Sequence, residues 1–238
     1  MNFLAHYYLD NQSKDSLFVI GLVTPDLVSL YSRDVRFRER DINLALQGKT
    51  LSVEQYSLLK GVKRHFEADG IFHDSPFFKK ESSRIARNLR ETFPQYDVAR
   101  SFFVGHVLFE LCIDRILMKL HPGLVDRFYE HFRHYNLEAL TGLTASLAGQ
   151  PLPGYRDFLK RFLEHPYLPR YKDPEYIVRV LKRILMMVGI PESGCEYLDD
   201  PSFVDHLVTC ESLMEPEMEK GLASIQKKLR PIEHISTR

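Results

Sequence analysis

Residues 52–72, SVEQYSLLKGVKRHFEADGIF, decide the fold class of this chain. Ser52 followed by Gln55 is a capping-box pattern, in which each of the two side chains accepts a backbone N–H at the start of a helix. Apolar residues then recur at helical spacing. Gly70 weakens the helix interior, so His73 is expected either on the same helix or just past its end. The segment predicts one long amphipathic helix.

Helical spacing recurs on both sides of this segment, whereas alternating β-branched runs typical of strands are nearly absent. Thr24 before Pro25 resembles an N-cap followed by proline, which predicts that a helix starts or breaks there. The charge-dense residues 33–40 are expected to be a solvated connection, and residues 189–194 a loop. Further helices are predicted at 2–9, 17–30, 75–93, 98–120, 124–148 (one or two), 155–163, 173–188 and 201–229. The chain is therefore predicted to be an all-α multi-helix bundle.

The composition is that of an ordinary folded protein, with 44% hydrophobic and 27% charged residues. Lys+Arg and Asp+Glu both number 32, so bulk positive charge gives no reason to expect a nucleic-acid partner. Three distant cysteines argue against a disulfide framework and a thiolate zinc site. The sequence shows no signal-peptide pattern and no apolar run of the roughly 20 residues that span a bilayer. We expect a cytoplasmic protein with no membrane span.

Two His-x-x-x-carboxylate pairs, His65 with Asp69 and His106 with Glu110, are the informative chemical pattern. Side chains four residues apart lie on one face of a helix, so an imidazole and a carboxylate can converge on one cation. His73 extends the first pair by four more residues. A single pair of this kind is more often a surface pair. His106 lies in the apolar segment FFVGHVLFELCIDR, where burial would be costly without a partner or a metal.

Four other residues join the candidates because they concentrate before residue 115. They are His6, Asp26, Asp74 and Asp114. Taken alone, His6 in NFLAHYYL would be a core histidine, Asp26 a helix-start carboxylate and Asp74 a turn residue. Nitrogen and oxygen ligands of this kind suit Mn, Zn or Fe.

Four segments resemble the acyl carrier protein phosphodiesterase family, a divergent all-helical branch of the HD-type metal phosphohydrolases. MNFLAHYYL (1–9) is similar to the opening of that family, and GLVTPDLV (21–28) to its segment with an acidic residue. GVKRHFEADGIFHDSPFF (61–78) resembles its His…Asp…Asp-x-Pro segment, and YLPRYKDPEYIVRVLKRI (167–184) a later Tyr-rich segment. The chain departs from the family at three positions, Leu22, Phe66 and Gly105. Glu110 has no clear counterpart there.

The resemblance implies one HD-domain-like helical domain over residues 1–238, with the metal site in 1–120 and a C-terminal helical extension over 189–238. It also implies that a divalent metal, Mn before Zn or Fe, supports release of 4′-phosphopantetheine from holo acyl carrier protein. The expected metal ligands are His6, Asp26, His65, Asp69, His106 and Glu110.

Four further residues are expected to act around the metal site. His73 would be a ligand or a general acid, Asp74 would complete or orient the site, and Lys63 with Arg64 would hold phosphate. The acidic carrier protein would need a basic docking face. That face is expected to include Lys63, Arg64, Arg170, Lys172, Arg179, Lys182 and Arg183.

Two other interpretations stay open at the level of the sequence. The two spaced pairs, with Pro25-Asp26 upstream, also resemble the zinc-dependent phospholipase C and single-strand nuclease group, which would change the substrate. Alternatively, the protein is a non-catalytic helical binding protein in which the His and Asp stripes are buried polar networks.

Overall fold

The computed structural model describes residues 1–48, 51–98 and 100–229, and these residues form helices without any strand. The predicted all-α class is confirmed. None of the helices in this part of the chain is long and apolar enough to cross a membrane. The α-helices are α1 (Phe3–Leu9), α2 (Ser16–Tyr31), α3 (Glu39–Gly48), α4 (Val53–Asp74), α5 (Pro76–Thr92), α6 (Ser101–Leu120), α7 (Leu124–Arg133), α8 (Leu137–Ala148), α9 (Tyr155–Glu164), α10 (Pro174–Met187) and α11 (Phe203–Lys228), with 3₁₀ helices at Leu168–Lys172 and Glu192–Asp199.

The long helix α4 begins and continues as its sequence predicts. The Ser52 Oγ accepts from the Gln55 N–H at 3.1 Å, and the Gln55 Oε1 accepts from the Ser52 N–H at 3.0 Å. The helix runs through Gly70 to Asp74. Glycine in a helix costs only about 1 kcal/mol relative to alanine, and tertiary contacts outweigh that cost. His73 therefore shares a helix face with residues 65 and 69.

The expected helix start at Pro25 is wrong, because α2 continues through it from Ser16 to Tyr31. The N-cap of α2 is Asp15, whose carboxylate accepts from the backbone N–H groups of Leu17 and Phe18 at 3.1 and 3.2 Å. Thr24 is a helix-interior residue whose hydroxyl donates to the Ile20 carbonyl at 2.8 Å. Most of α2 is buried, and this burial outweighs the lost hydrogen bond of the proline.

Helices α2 and α4 cross in backbone contact at Gly21 and Gly61. A Cβ atom on Gly61 would lie 2.1 Å from the Phe18 carbonyl oxygen and 2.7 Å from the Gly21 Cα. Only glycine at both positions allows this approach. The crossing lies about one helical turn before Asp26 on α2 and His65 on α4, and it brings those two residues close together.

Three other boundaries differ from the sequence prediction. Part of the charge-dense segment forms α3, because Ile42 packs in a small apolar cluster with Leu59 and Val62. Helix α6 begins at Ser101 rather than at residue 98, after Arg100 with a left-handed φ of 52°. The expected loop at 189–194 is partly 3₁₀ helix from Glu192, since Cys195, Tyr197 and Leu198 are buried.

A single hydrophobic core includes buried residues from Met1 to Leu229. Two long-range contacts hold α1 in this core. The Asp114 carboxylate accepts from the Leu4 and Ala5 N–H groups at 3.2 and 2.9 Å, which holds the start of α1 against α6. The Gln226 amide in α11 donates to the Leu9 carbonyl at 2.8 Å.

Candidate metal centre

Helices α1, α2, α4 and α6 bring seven of the candidate side chains together in two adjacent groups. His6, Asp26 and His65 form the first group, with ligand atoms all within 4.8 Å of one another. His73, His106 and Glu110 form the second group. Asp69 lies between the two groups on α4. The six predicted metal ligands thus do not surround one point, because the crossing of the helices divides them.

The first group is held by the backbone of α2. The Nδ1 of His65 lies 2.8 Å from the Leu22 carbonyl oxygen, so Nδ1–H donates and Nε2 is the nitrogen that points away from the backbone of α2. This Nε2 faces the Asp26 Oδ1 at 3.9 Å. A ring orientation fixed by a backbone carbonyl is what metal-bound imidazoles usually need. His65 is therefore oriented as a ligand through Nε2.

His6 is the least satisfied side chain of the first group. Its ring stacks on the ring of His65 with centroids 4.1 Å apart. Both ring nitrogens are buried and have no hydrogen-bond partner among the described residues. Burial and the adjacent His65 hold the pKa of His6 well below its usual value, so the ring is neutral. A neutral, buried and unpaired imidazole is costly by itself and suited to a metal ion.

The second group is more compact. The His73 Nε2 lies 3.1 Å from the His106 Nε2 and 3.2 Å from the Glu110 Oε1, and the last two atoms are 2.9 Å apart. Donors about 2.1 Å from one ion lie roughly 3.0–3.4 Å from each other. The spacing in this group therefore matches two imidazoles and a carboxylate on one face of an ion.

The expectation that His106 is buried is wrong, since 31% of its side chain is exposed, against 18% for Glu110. The apolar residues around it in sequence belong to the other faces of α6. The face of α6 that carries His106 opens toward α4, where His73 is also 31% exposed.

Asp69 faces both groups with its two carboxylate oxygens. Its Oδ1 lies 3.9 Å from the His6 Nε2, and its Oδ2 lies 3.3 Å from the His73 Nδ1. Burial opposes ionisation, but the hydrogen bond from His73 and nearby positive charges hold the pKa of Asp69 well below its usual value. The carboxylate is therefore charged and placed between the two groups.

The carboxylates in this centre attract positive charge. The Met1 amino group is buried and lies 2.5 Å from the Asp69 Oδ1 and 3.2 Å from the Glu110 Oε1. Burial disfavours its charged form, but these carboxylates raise its pKa to about 11. Likewise, burial disfavours a charged Glu110, yet the Met1 ammonium and both neighbouring histidines hold the pKa of Glu110 below its usual value. The Met1 ammonium is thus the cation that these two carboxylates hold between the groups.

Four other candidates lie elsewhere or have structural roles. Asp74 is 90% exposed and pairs with Lys79, so the structure does not place it in the centre. Arg64 makes a bidentate ion pair with Asp10 at 3.0 and 3.1 Å, which occupies its guanidinium. Lys63 is exposed on α4, and no described contact joins it to the two groups. Asp114 caps α1 instead of acting as a ligand.

Several side chains of the predicted basic face have partners of their own. Arg170 and Arg179 both lie over the ring of Tyr176, at 4.1 and 5.5 Å. Lys182 pairs with Asp199 at 2.7 Å.

Two features of the centre have no signal in the sequence. The Leu22 carbonyl, which orients His65, is a backbone group, and its position depends on the crossing of α2 and α4. A pocket of about 320 Å³ opens beside the first group and is lined by His65, Asp26 and the segment after α2, including Arg33 and Arg36. Residues 33–38 are the mostly exposed connection that the sequence predicts, and two arginines of this connection also line the pocket.

No family model, no curated protein and no solved structure matches the chain.

Proposed function

We propose that this chain is a metal-dependent hydrolase of phosphodiesters that holds two divalent ions. The first ion would be held by His6, Asp26 and His65, and the second by His73, His106 and Glu110. Asp69 would contribute one carboxylate oxygen on each side. Nitrogen and oxygen donors of this type suit Mn, Fe or Zn, with Mn favoured by the family resemblance.

The observation that carries the proposal is the position of Asp69 between two groups of three donors. Its oxygens approach one histidine of each group, at 3.9 and 3.3 Å. In two-metal phosphatases and nucleases, ions about 3.5–4 Å apart bind both the attacking and the leaving oxygen. A carboxylate with one oxygen toward each donor group fits that chemistry.

The side chains of this centre have separable roles. Bound divalent ions lower the pKa of a water molecule and polarise a phosphoryl oxygen. Leu22 orients His65 through its carbonyl, and Asp114 holds α1 so that His6 faces Asp69. The pocket beside Asp26 and His65 gives a substrate access to the first group.

The acyl carrier protein is the substrate that the resemblance suggests. This substrate is supported by the four sequence segments that resemble the family and by the basic side chains along α10. A small phosphodiester is the alternative that the size of the pocket favours, because about 320 Å³ is near the lower limit for ligand pockets.

Metal analysis of protein purified without chelator tests the metal centre. We expect about two ions per chain, and loss of both in the double variant His65→Ala/His106→Ala. His134→Ala is the matched control, because His134 is an exposed histidine at the end of α7. A chain that binds no Mn, Fe or Zn under any loading condition would refute the proposal and favour a non-catalytic binding protein.

Turnover assays on the metal-loaded protein separate the substrates. Release of phosphopantetheine from holo acyl carrier protein would support the family substrate. Turnover of bis-p-nitrophenyl phosphate without release of phosphopantetheine would support a phosphodiesterase and reject acyl carrier protein as its substrate. Turnover of neither would reject the hydrolase.

A further inference from the structure

The pocket beside the first group combines charged and apolar walls. His65 and Asp26 of the first group line it, together with the apolar side chains of Pro25, Phe37 and Phe66. The aromatic rings belong to different elements, since Phe37 follows α2 and Phe66 lies on α4. The arrangement has room for a small ligand with one flat or apolar part.

Two exposed arginines also line this pocket. Arg33 and Arg36 are both exposed, and neither has an ion-pair partner among the described residues. Arg40, slightly later in the chain, pairs with the adjacent Asp41 at 3.6 Å. The hydroxyls of Ser29 and Ser32 lie in the same lining. An anion in this position would therefore meet two uncompensated positive charges and the Ser32 hydroxyl, since the Ser29 hydroxyl donates to the Pro25 carbonyl at 2.8 Å.

Guanidinium groups bind phosphate more strongly than most side chains do, because their planar donors match the phosphate oxygens. A phosphoryl group bound at the metal centre would leave the rest of the substrate in the pocket. Arg33 and Arg36 do not belong to the donor groups, because a guanidinium stays protonated and has no lone pair to offer an ion. Their charge is thus available for a second anionic group of the same substrate.

We propose that Arg33 and Arg36 form a subsite for a second phosphate of the substrate. The preferred substrate is then a small phosphodiester that carries a phosphate monoester next to a flat or apolar part, which packs on Phe37 and Phe66. This inference rests on the proposed phosphodiesterase function for its kinetic test. The subsite itself can be measured by binding alone.

The kinetic test uses two substrates that differ by one phosphate, thymidine 5′-(p-nitrophenyl phosphate) and its 3′-phosphorylated form. We expect the metal-loaded protein to prefer the 3′-phosphorylated substrate in kcat/KM. The double variant Arg33→Ala/Arg36→Ala should reduce kcat/KM for that substrate roughly 10-fold or more, mainly through KM, since it removes the charge-assisted hydrogen bonds to the second phosphate. Turnover of the substrate without the second phosphate should change less than about 2-fold.

Arg38→Ala is the matched control, because Arg38 is exposed in the same segment but does not line the pocket. It should leave both substrates unchanged. An equal loss for both substrates in the double variant, or no loss for either, would overturn the subsite.

Calorimetric binding of inorganic pyrophosphate to chelator-treated protein tests the subsite without turnover. Wild type and Arg38→Ala should bind with equal affinity, and the double variant at least about 5-fold more weakly. Wild-type protein that does not bind pyrophosphate would overturn the subsite. If the protein binds pyrophosphate through these arginines but turns over neither substrate, the subsite stands and the proposed hydrolase fails.

Discussion

The two donor groups of the centre use the same residue types but differ in how they are satisfied. In the first group His6 is buried and neither ring nitrogen has a partner in the described structure. In the second group each donor atom lies within 3.2 Å of the other two. The second group is therefore stable as a hydrogen-bonded network, whereas the first leaves a buried polar ring unpaired.

This difference predicts how strongly each group binds an ion. An ion at the first group displaces no proton from His6, because burial lowers the pKa of that ring. An ion at the second group must displace the proton of His73, whose pKa is raised to about 9 by hydrogen bonds to Asp69 and Glu110 that outweigh its burial. Metal binding that releases protons is weaker near neutral pH. We infer that the first group binds its ion more tightly.

The largest effect should come from separating α2 and α4. In Gly61→Ala, the new Cβ meets the backbone of Phe18 and Gly21, and we expect a loss of about 3 kcal/mol or more in the free energy of unfolding. Asp26 and His65 should also separate, so ions bound at the first group should be lost. Urea unfolding and metal analysis measure the two effects.

Gly70→Ala is the control on the same helix, because nothing lies within 4 Å of its added Cβ. It should raise the free energy of unfolding by about 0.5–1 kcal/mol, the usual gain from glycine to alanine inside a helix. A Gly61→Ala protein as stable as wild type would mean that the two helices are not in backbone contact.

Much of the fold is predictable from local patterns. Ser52 with Gln55 and Asp173 with Pro174 mark helix starts that the structure reproduces. Pro25 is the exception, because the burial of α2 is a tertiary property that no local signal contains. Helix α3 was missed for the same reason, since Ile42 packs against Leu59 and Val62 of α4, a contact distant in sequence.

The centre was predictable as a set of residues but not as an arrangement. Spacing of four residues places His65, Asp69 and His73 on one face of α4. Their division between two groups depends on the Gly21–Gly61 crossing and on the stacked rings of Phe72 and Phe109, 5.8 Å apart, which set α4 against α6. These contacts join residues distant in sequence, so periodicity alone does not reveal them.

A smaller effect should follow when a histidine of each group is replaced by leucine in chelator-treated protein. His6→Leu removes an unpaired buried polar ring at similar volume, and we expect a gain of about 1 kcal/mol in the free energy of unfolding. His106→Leu removes a partner of Glu110 at 2.9 Å, and we expect a loss of about 1 kcal/mol. Urea titration measures both.

When metal is added, the free energy of unfolding should rise less in His6→Leu than in His106→Leu. Saturating metal at about 100 times its dissociation constant stabilises a protein by about 2.7 kcal/mol. His6→Leu should lose the stabilisation that comes from the ion at the first group, which we infer to be bound more tightly. His106→Leu should keep that stabilisation. A His6→Leu protein that is less stable than wild type without metal would show that the ring has an undetected partner.

The smallest effect is a difference in pH dependence between the groups in metal-free protein. The folded pKa of His6 lies below the unfolded value of about 6.5, so its ring costs stability as pH falls below 6.5 and the unfolded chain takes up a proton. The folded pKa of His73 is raised to about 9. Its contribution is complete below pH 6.5 and is lost as pH rises toward 9.

In the metal-free protein, the contribution of His6 should therefore decline below about pH 6.5 and that of His73 above it, each by about 1 kcal/mol or less per pH unit. His6→Leu should flatten the acidic side alone, and His73→Gln the alkaline side alone. Urea unfolding between pH 5 and 9 measures both slopes. The opposite result would be a change above pH 6.5 in His6→Leu or below pH 6.5 in His73→Gln. It would mean that His6 carries the proton and that the second group binds an ion without displacing one.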